Sequence, residues 1–196
     1  MEITKSDFEN ANTKKIKRAL GKDYWIRVAR RKESFNVSNL GTSYKPNAFY
    51  FSKGTWILND DFGGFNKNTK YIIIAKILNN DEIFDLTPEN KKSIMDKYTD
   101  MVFKIEDSIQ TTIKWNKLLK GYKALRLRDA RHIKPIIKPV DFTYHFDVES
   151  LVVFDDSCIK YTIYEINDKD MNKIVKDDEL LLNYLLELIK NHKKNN

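Results

Sequence analysis

Two periodicities run through the chain. Some stretches alternate or stay apolar over four to eight residues, as strands do; others repeat apolar positions every three or four residues, as helices do. Tyr24 to Ala29 (YWIRVA) is aromatic and β-branched and predicts a strand. Alternation puts Trp25, Arg27 and Ala29 on one face and Ile26 and Val28 on the other. Ala48 to Ser52 (AFYFS) predicts a second short strand. Tyr71 to Leu78 (YIIIAKIL) is the clearest, a run typical of a sheet interior. Ile83 to Leu86 and Leu151 to Phe154 predict short strands, and Ile159 to Ile166 alternates as a half-exposed outer strand would.

Helical signals alternate with these. Residues 7–20 read as a polar helix with Ser6 or Asp7 as N-cap. Thr87-Pro88-Glu89 starts another, with threonine as cap, proline at the first helical position and an acid in the first turn. It is expected to run to Phe103. A further helix is predicted over 109–119, closed by Gly121. The amphipathic segment 177–190 predicts a C-terminal helix, followed by a disordered tail over 191–196. Its leucines, from Leu180 to Leu188, lie nearly all round, as core packing or a partner groove would require. Glycines at 54, 63 and 64 mark a loop. Strands and helices mix without regular alternation, and no repeat or linker divides the chain. The reading is a single α+β domain over residues 1–196.

Composition agrees with a folded domain. The chain has 196 residues, 41% of them hydrophobic, enough for a sizeable core. The net charge of +7 points to an anionic partner. Its distribution qualifies that: residues 1–53 and 114–140 are basic, whereas 54–113 and 141–196 are acidic. A uniform nucleic-acid coat is therefore not expected. Cys158 is the only cysteine, which excludes an internal disulfide and any cysteine-based zinc cluster. The three histidines, His132, His145 and His192, would all be needed for a three-histidine metal site, so no metal is expected. No apolar run approaches the ~18 residues of a membrane span, and the N-terminal residues lack a signal peptide's apolar stretch. A reducing cytoplasm is the expected compartment.

No Walker A spacing, GxGxxG or GxSxG motif occurs. Four features could carry chemistry. Arg27 lies within an apolar strand, either as a surface arginine or as a guanidinium that forks a phosphate. Phe49-Tyr50-Phe51-Ser52 is either core or a place for a flat ring to stack. Gly121-Tyr122-Lys123-Ala124 is either a helix end leading into a solvated basic loop or an anion-facing loop. Asp147 and Glu149, two residues apart before a strand, either close a turn or turn both carboxylates to one side.

Taken in order, these features resemble the mono-ADP-ribosyltransferase superfamily of the arginine–serine–glutamate type. Gly121-Tyr122-Lys123-Ala124 is similar to the family's Gly-Tyr-Asp-Ala segment. Glu149-Ser150-Leu151-Val152-Val153-Phe154-Asp155, with Ile159-Lys160, resembles its glutamate strand. The likeness spans roughly residues 24–166. It implies split mixed and antiparallel sheets around an NAD cleft with flanking helices. It also implies a transferase that cleaves the nicotinamide–ribose bond of NAD, its co-substrate, without a metal. ADP-ribose would pass to a macromolecular acceptor, protein in preference to nucleic acid; NAD hydrolysis is a near variant. Delivery as a toxin or effector would place it in a host cytoplasm.

By this resemblance Arg27 anchors NAD, Ser52 supports the pocket, and Tyr50 or Phe51 lies near the nicotinamide. Thr55 supplies a further hydroxyl, Glu149 is the catalytic glutamate, and Asp147 stands two residues before it. Ser-Lys-Gly-Thr replaces the family's Ser-Thr-Ser, and Asp147 stands where glutamate or glutamine is usual in arginine-modifying members. The alternative reading is a non-catalytic nucleic-acid-binding module. It would use the basic stretches 14–31 and 114–138, with Tyr24, Trp25, Trp115 and Tyr122 as stacking aromatics.

Overall fold

The computed structural model describes residues 5–43, 45–53, 68–105, 108–128, 149–167, 169–170 and 177–195. Thr55 and Asp147, and the basic stretch from 129 to 138, lie outside them. The fold is mixed α+β, with antiparallel and parallel strand pairs. The chain folds into two compact units, each built from discontinuous segments.

The first unit comprises residues 1–33, 52–77 and 159–196. Helix α1 (Lys5–Leu20) ends at Gly21, whose N–H bonds the Lys17 carbonyl at 2.9 Å. Gly21 has φ of +70°, a left-handed conformation that a Cβ disfavours. Strand β1 (Tyr24–Ala29) follows. The chain later returns as β4 (Tyr71–Ile77) and β10 (Ile159–Glu165), giving an antiparallel order β10-β4-β1. The C-terminal helix α4 (Asp178–Asn195) completes the unit. Its Leu181, Leu182, Leu185 and Ile189 pack with Ile16 and Leu20 of α1 onto Ile26, Val28, Ile72 and Ile74. Its leucines thus form core, except that Leu180 is exposed. The helix includes residues 191–195, where the polar sequence predicts a disordered tail. Burial of His192, which meets Tyr164 and Tyr24, carries the last turn into the core.

The second unit comprises residues 34–51 and 78–158. Strand β5 (Ile83–Leu86) runs parallel to β8 (Ala124–Leu127), which pairs antiparallel with β9 (Ser150–Val153). A separate sheet has the order β2-β7-β6, from β2 (Thr42–Ser43), β6 (Thr99–Ile105) and β7 (Ser108–Lys114). Helix α2 (Pro88–Tyr98) begins as predicted, with a capping box. Thr87 Oγ1 accepts the Asn90 N–H at 3.4 Å, and Asn90 Oδ1 accepts the Thr87 N–H at 3.0 Å. The core gathers Leu40, Leu86, Ile113, Trp115, Leu125, Leu127 and Val152.

Two predicted helices are corrected by the structure. α2 stops at Tyr98 instead of reaching Phe103, because Thr99 turns extended and its hydroxyl donates to the Met95 carbonyl at 2.6 Å. The helix predicted over 109–119 is strand β7 followed by a single turn, α3 (Trp115–Leu118). Ile109, Thr111 and Ile113 recur with period two, and β-branched side chains lose rotamer freedom in a helix but fit a pleated sheet. Gly121, with φ of +89°, closes the turn after α3.

Candidate functional site

Arg27 sits mid-strand in β1, opposite Ile73 of β4. A sheet-interior position fixes its backbone and leaves the guanidinium to reach one face. Its Nη2 donates to Glu33 Oε2 at 2.9 Å, and both side chains are mostly shielded, at 19% and 16% exposure. Arg31 Nε lies 3.9 Å from the other Glu33 oxygen, with its side chain 85% exposed. These groups line an open cleft of about 470 Å³ with Val28, Ala29, Arg30 and the buried Thr69. Ligand pockets usually occupy about 300–1,000 Å³. Three guanidiniums around one carboxylate leave the cleft net positive. A shielded guanidinium held by a carboxylate is pre-oriented, so less side-chain entropy is lost when an anion binds.

Ser52, the last residue of β3 (Phe49–Ser52), pairs with Ile26 of β1 and is wholly buried. Arg27 and Ser52 thus stand on adjacent strands, and both residues belong to the first unit. Lys53 follows, and sequence reasoning gave it no role. It is 4% exposed, donates from Nζ to the carbonyls of Gly21 and Lys22 at 2.6 and 2.7 Å, and stands 4.5 Å from the centre of the Trp25 ring. The ammonium satisfies two carbonyls of the turn that follows α1, near a helix C-terminus, where a cation is favoured. A lysine after a strand carries no local signal for such a contact, since its partners lie 31 and 32 residues away.

The remaining expected residues that the structure describes fall in the second unit. Tyr50 is half-buried. Its hydroxyl donates to the Pro46 carbonyl at 2.6 Å, Lys45 Nζ stands 5.5 Å from its ring centre, and burial pushes its phenol well above the usual range. Phe51 is wholly buried, edge-on to Phe35 at 5.4 Å, and Phe35 meets Phe49 at 5.2 Å. A ring covered in this way fills core; of the two, Tyr50 keeps partial access. Glu149 is half-buried immediately before β9, whose four residues are all buried. That strand fixes where the glutamate's backbone leaves the core.

The Gly-Tyr-Lys-Ala segment is tied into the sheet on both sides. The Lys123 N–H donates to the Glu82 carbonyl at 2.9 Å, and the Lys123 carbonyl accepts from Phe154 and Asp155 at 3.2 and 3.1 Å. Lys123 Nζ pairs with Glu82 Oε1 at 2.6 Å, a contact that raises the lysine's affinity for its proton. Tyr122 leans edge-on against Phe84 at 5.2 Å. Trp25 and Trp115, at 1% and 0% exposure, present no face to a stacking base. Of the aromatics proposed for that purpose, Tyr24 and Tyr122 keep access.

Cys158 is buried, and burial pushes its thiol up to about 12, so it is not a thiolate at neutral pH. Among the described residues no three His, Cys, Asp or Glu side chains are arranged to hold a metal ion. Nor is any helix among them long and apolar enough to cross a membrane. No protein-family model, curated protein or solved structure matches the chain.

Proposed function

We propose that the chain is an NAD-dependent ADP-ribosyltransferase that moves ADP-ribose from NAD to a macromolecular acceptor. The observation that carries the reading is Arg27, pre-oriented by Glu33 on a positively charged cleft. It supports the phosphate-anchoring role expected of a strand arginine. The sequence order of Arg27, the Tyr50-Phe51-Ser52 strand and Glu149 supports the rest.

In this reading the pyrophosphate is bound by Arg27, and the Glu149 carboxylate accepts a hydrogen bond from a ribose hydroxyl. The bond between the nicotinamide nitrogen and the anomeric carbon breaks, and nicotinamide leaves with the electron pair. The anomeric carbon develops oxocarbenium character, as in glycoside cleavage. A fixed carboxylate nearby lowers the energy of that charge. The acceptor's nucleophile then bonds to the anomeric carbon and releases its proton to solvent. Nicotinamide is already a cationic leaving group, so neither a general acid nor a metal is required.

Two measurements test it. NAD is expected to raise the melting temperature of the parent chain, because a ligand at ~100 Kd adds about 2.7 kcal/mol. Arg27→Ala should abolish that shift. Nicotinamide release, or labelling from a tagged NAD analogue, should fall roughly a hundredfold in Glu149→Gln, as when one transition-state contact is removed. Equal turnover in parent and Glu149→Gln would sink the role given to Glu149; no NAD-dependent shift in the parent would sink the cofactor.

A further inference from the structure

Arg30, Arg31 and Lys32 follow β1, and Lys70 precedes β4; all four are exposed. The Lys70 N–H donates to the Ala29 carbonyl at 3.0 Å, so the two segments lie side by side at one end of the β1–β4 pair. Glu33 is engaged with Arg27. Glu165 of β10 stands directly opposite Tyr71, so the two side chains share a face, and Asp170 follows that strand. One aromatic belongs to the patch. Tyr71 is half-buried, and Lys32 Nζ stands 5.8 Å from its ring centre. Arg30 and Arg31 also line the cleft of about 470 Å³, beside Arg27 and Glu33.

We propose that this end of β1 and β4 is a docking surface for a single-stranded nucleic acid, held through its phosphates and by a base laid against Tyr71. Exposed like charges on neighbouring segments repel one another, and a polyanion relieves that repulsion while releasing its own counterions. Guanidiniums fork phosphate oxygens in two directions, and the lysines act as point charges on the same backbone. Tyr71 decides between partners. An acidic peptide gains nothing from a π-face, whereas every base has a face to stack on it. Lys32 over Tyr71 leaves the ring for a phosphate when the base arrives. As the docking place of an acceptor the surface rests on the transferase reading; as a binding surface it does not, and its test contains no NAD.

The test is fluorescence anisotropy of a labelled oligothymidine on the full chain across a salt series. The parent should bind at low salt with a steep log–log salt slope, about 0.7 per phosphate neutralised. Arg30→Ala with Arg31→Ala should lower that slope by about 1.4, since two cations are lost. Arg30→Lys with Arg31→Lys should retain it. Tyr71→Leu should weaken binding about tenfold at an unchanged slope, the loss of one stacked base. Equal melting temperatures check that each variant folds. Three outcomes overturn the proposal: no binding by the parent at low salt, a parental slope in the double alanine variant, or equal displacement of the oligonucleotide by polyglutamate at matched charge. Failure of NAD turnover leaves these readouts unmoved, and failure of oligonucleotide binding leaves the NAD-dependent melting shift unmoved.

Discussion

Arg126 donates to both carboxylate oxygens of Asp85, from Nε to Oδ1 at 2.6 Å and from Nη2 to Oδ2 at 2.8 Å. Its Nη1 reaches Asn80 Oδ1 at 2.7 Å. The two residues face each other across the parallel pair of β5 and β8, so the contact fastens β5 to its neighbour. Arg126 is 9% exposed and Asp85 37%. Removing the acid strands a buried guanidinium, which costs about 3–5 kcal/mol for fully buried pairs. Partial exposure of Asp85 brings the expected loss in Asp85→Ala down to about 2 kcal/mol, read from the denaturant midpoint. The hydrogen bond from Arg126 holds the Asp85 carboxyl below the usual carboxylate range. A lowered acid contributes stability in full above its unfolded pKa, near 4, and loses it as the pH falls through the folded value. Asp85→Asn should therefore flatten the acid limb of a stability–pH curve. None of this was legible in the string Ile-Phe-Asp-Leu, where Asp85 reads as the polar position of a short strand. Its partner is 41 residues away.

Helix α4 shows how much an element owes to its docking face. Leu185 is wholly buried between α1 and the β10-β4-β1 sheet, and Leu185→Ala should cost about 3 kcal/mol through the cavity it leaves. The last turn carries a finer device. His192 is 5% exposed, with its Nδ1 hydrogen-bonded to the Tyr164 hydroxyl at 2.6 Å and its ring edge-on to Tyr24 at 5.4 Å. Burial, with a smaller contribution from Lys160, pushes its pKa below the usual histidine value. The folded chain thus binds fewer protons than the unfolded one just below pH ~6.5, so stability is complete above that value and falls as the pH drops through the folded pKa. Urea midpoints from pH 8 to 5 should decline on the acid side in the parent and stay flatter in His192→Gln. The helix itself was legible, because its apolar positions repeat at helical spacing. Its length was not: His-Lys-Lys-Asn-Asn is polar throughout, and His192 in the Tyr24–Tyr164 pocket, with Lys193 bonded to the Ala19 carbonyl, holds the last turn against the unit. The helix predicted over 109–119 failed for a different reason. Its period-two pattern was present, and the spacing of Trp115 and Leu118 masked it.

For the molecule as a whole, the chain enters and leaves each unit more than once, and both chain ends lie in the first. α1 buries Ile16 and Leu20 in one cluster with Leu181 and Leu185 of α4 and with the sheet. A chain ending before Asp177 should therefore expose that cluster and accumulate as insoluble material, measured as the soluble fraction on expression. The charge of +7 also changes meaning at this scale. Cations of the first basic block take separate parts: Lys53 is buried against the turn after α1, Arg27 is paired with Glu33, and Arg30, Arg31 and Lys32 are exposed, joined in space by Lys70. Of these, the exposed group would give up the fewest internal contacts on meeting the phosphates of the proposed partner.

Element identity was mostly local. β1, β4, β5 and β10, the capped start of α2 and the core face of α4 follow from propensity, periodicity and capping, all of which act over neighbours in the chain. The α+β class follows from those elements. The candidate residues were also named locally, as residue types suited to an anion, a ring or a carboxylate. Their surroundings were not. Burial of Phe51, Trp25 and Trp115, the bonds from Lys53 to the turn after α1 and the pairing of Arg126 with Asp85 depend on which distant segments meet. Burial and charge pairing are properties of space: Arg126 pairs with Asp85 across 41 residues, and a hydrogen bond from Lys193 to the Ala19 carbonyl spans 174. A pattern that acts over a few residues carries no record of such meetings until the chain has folded.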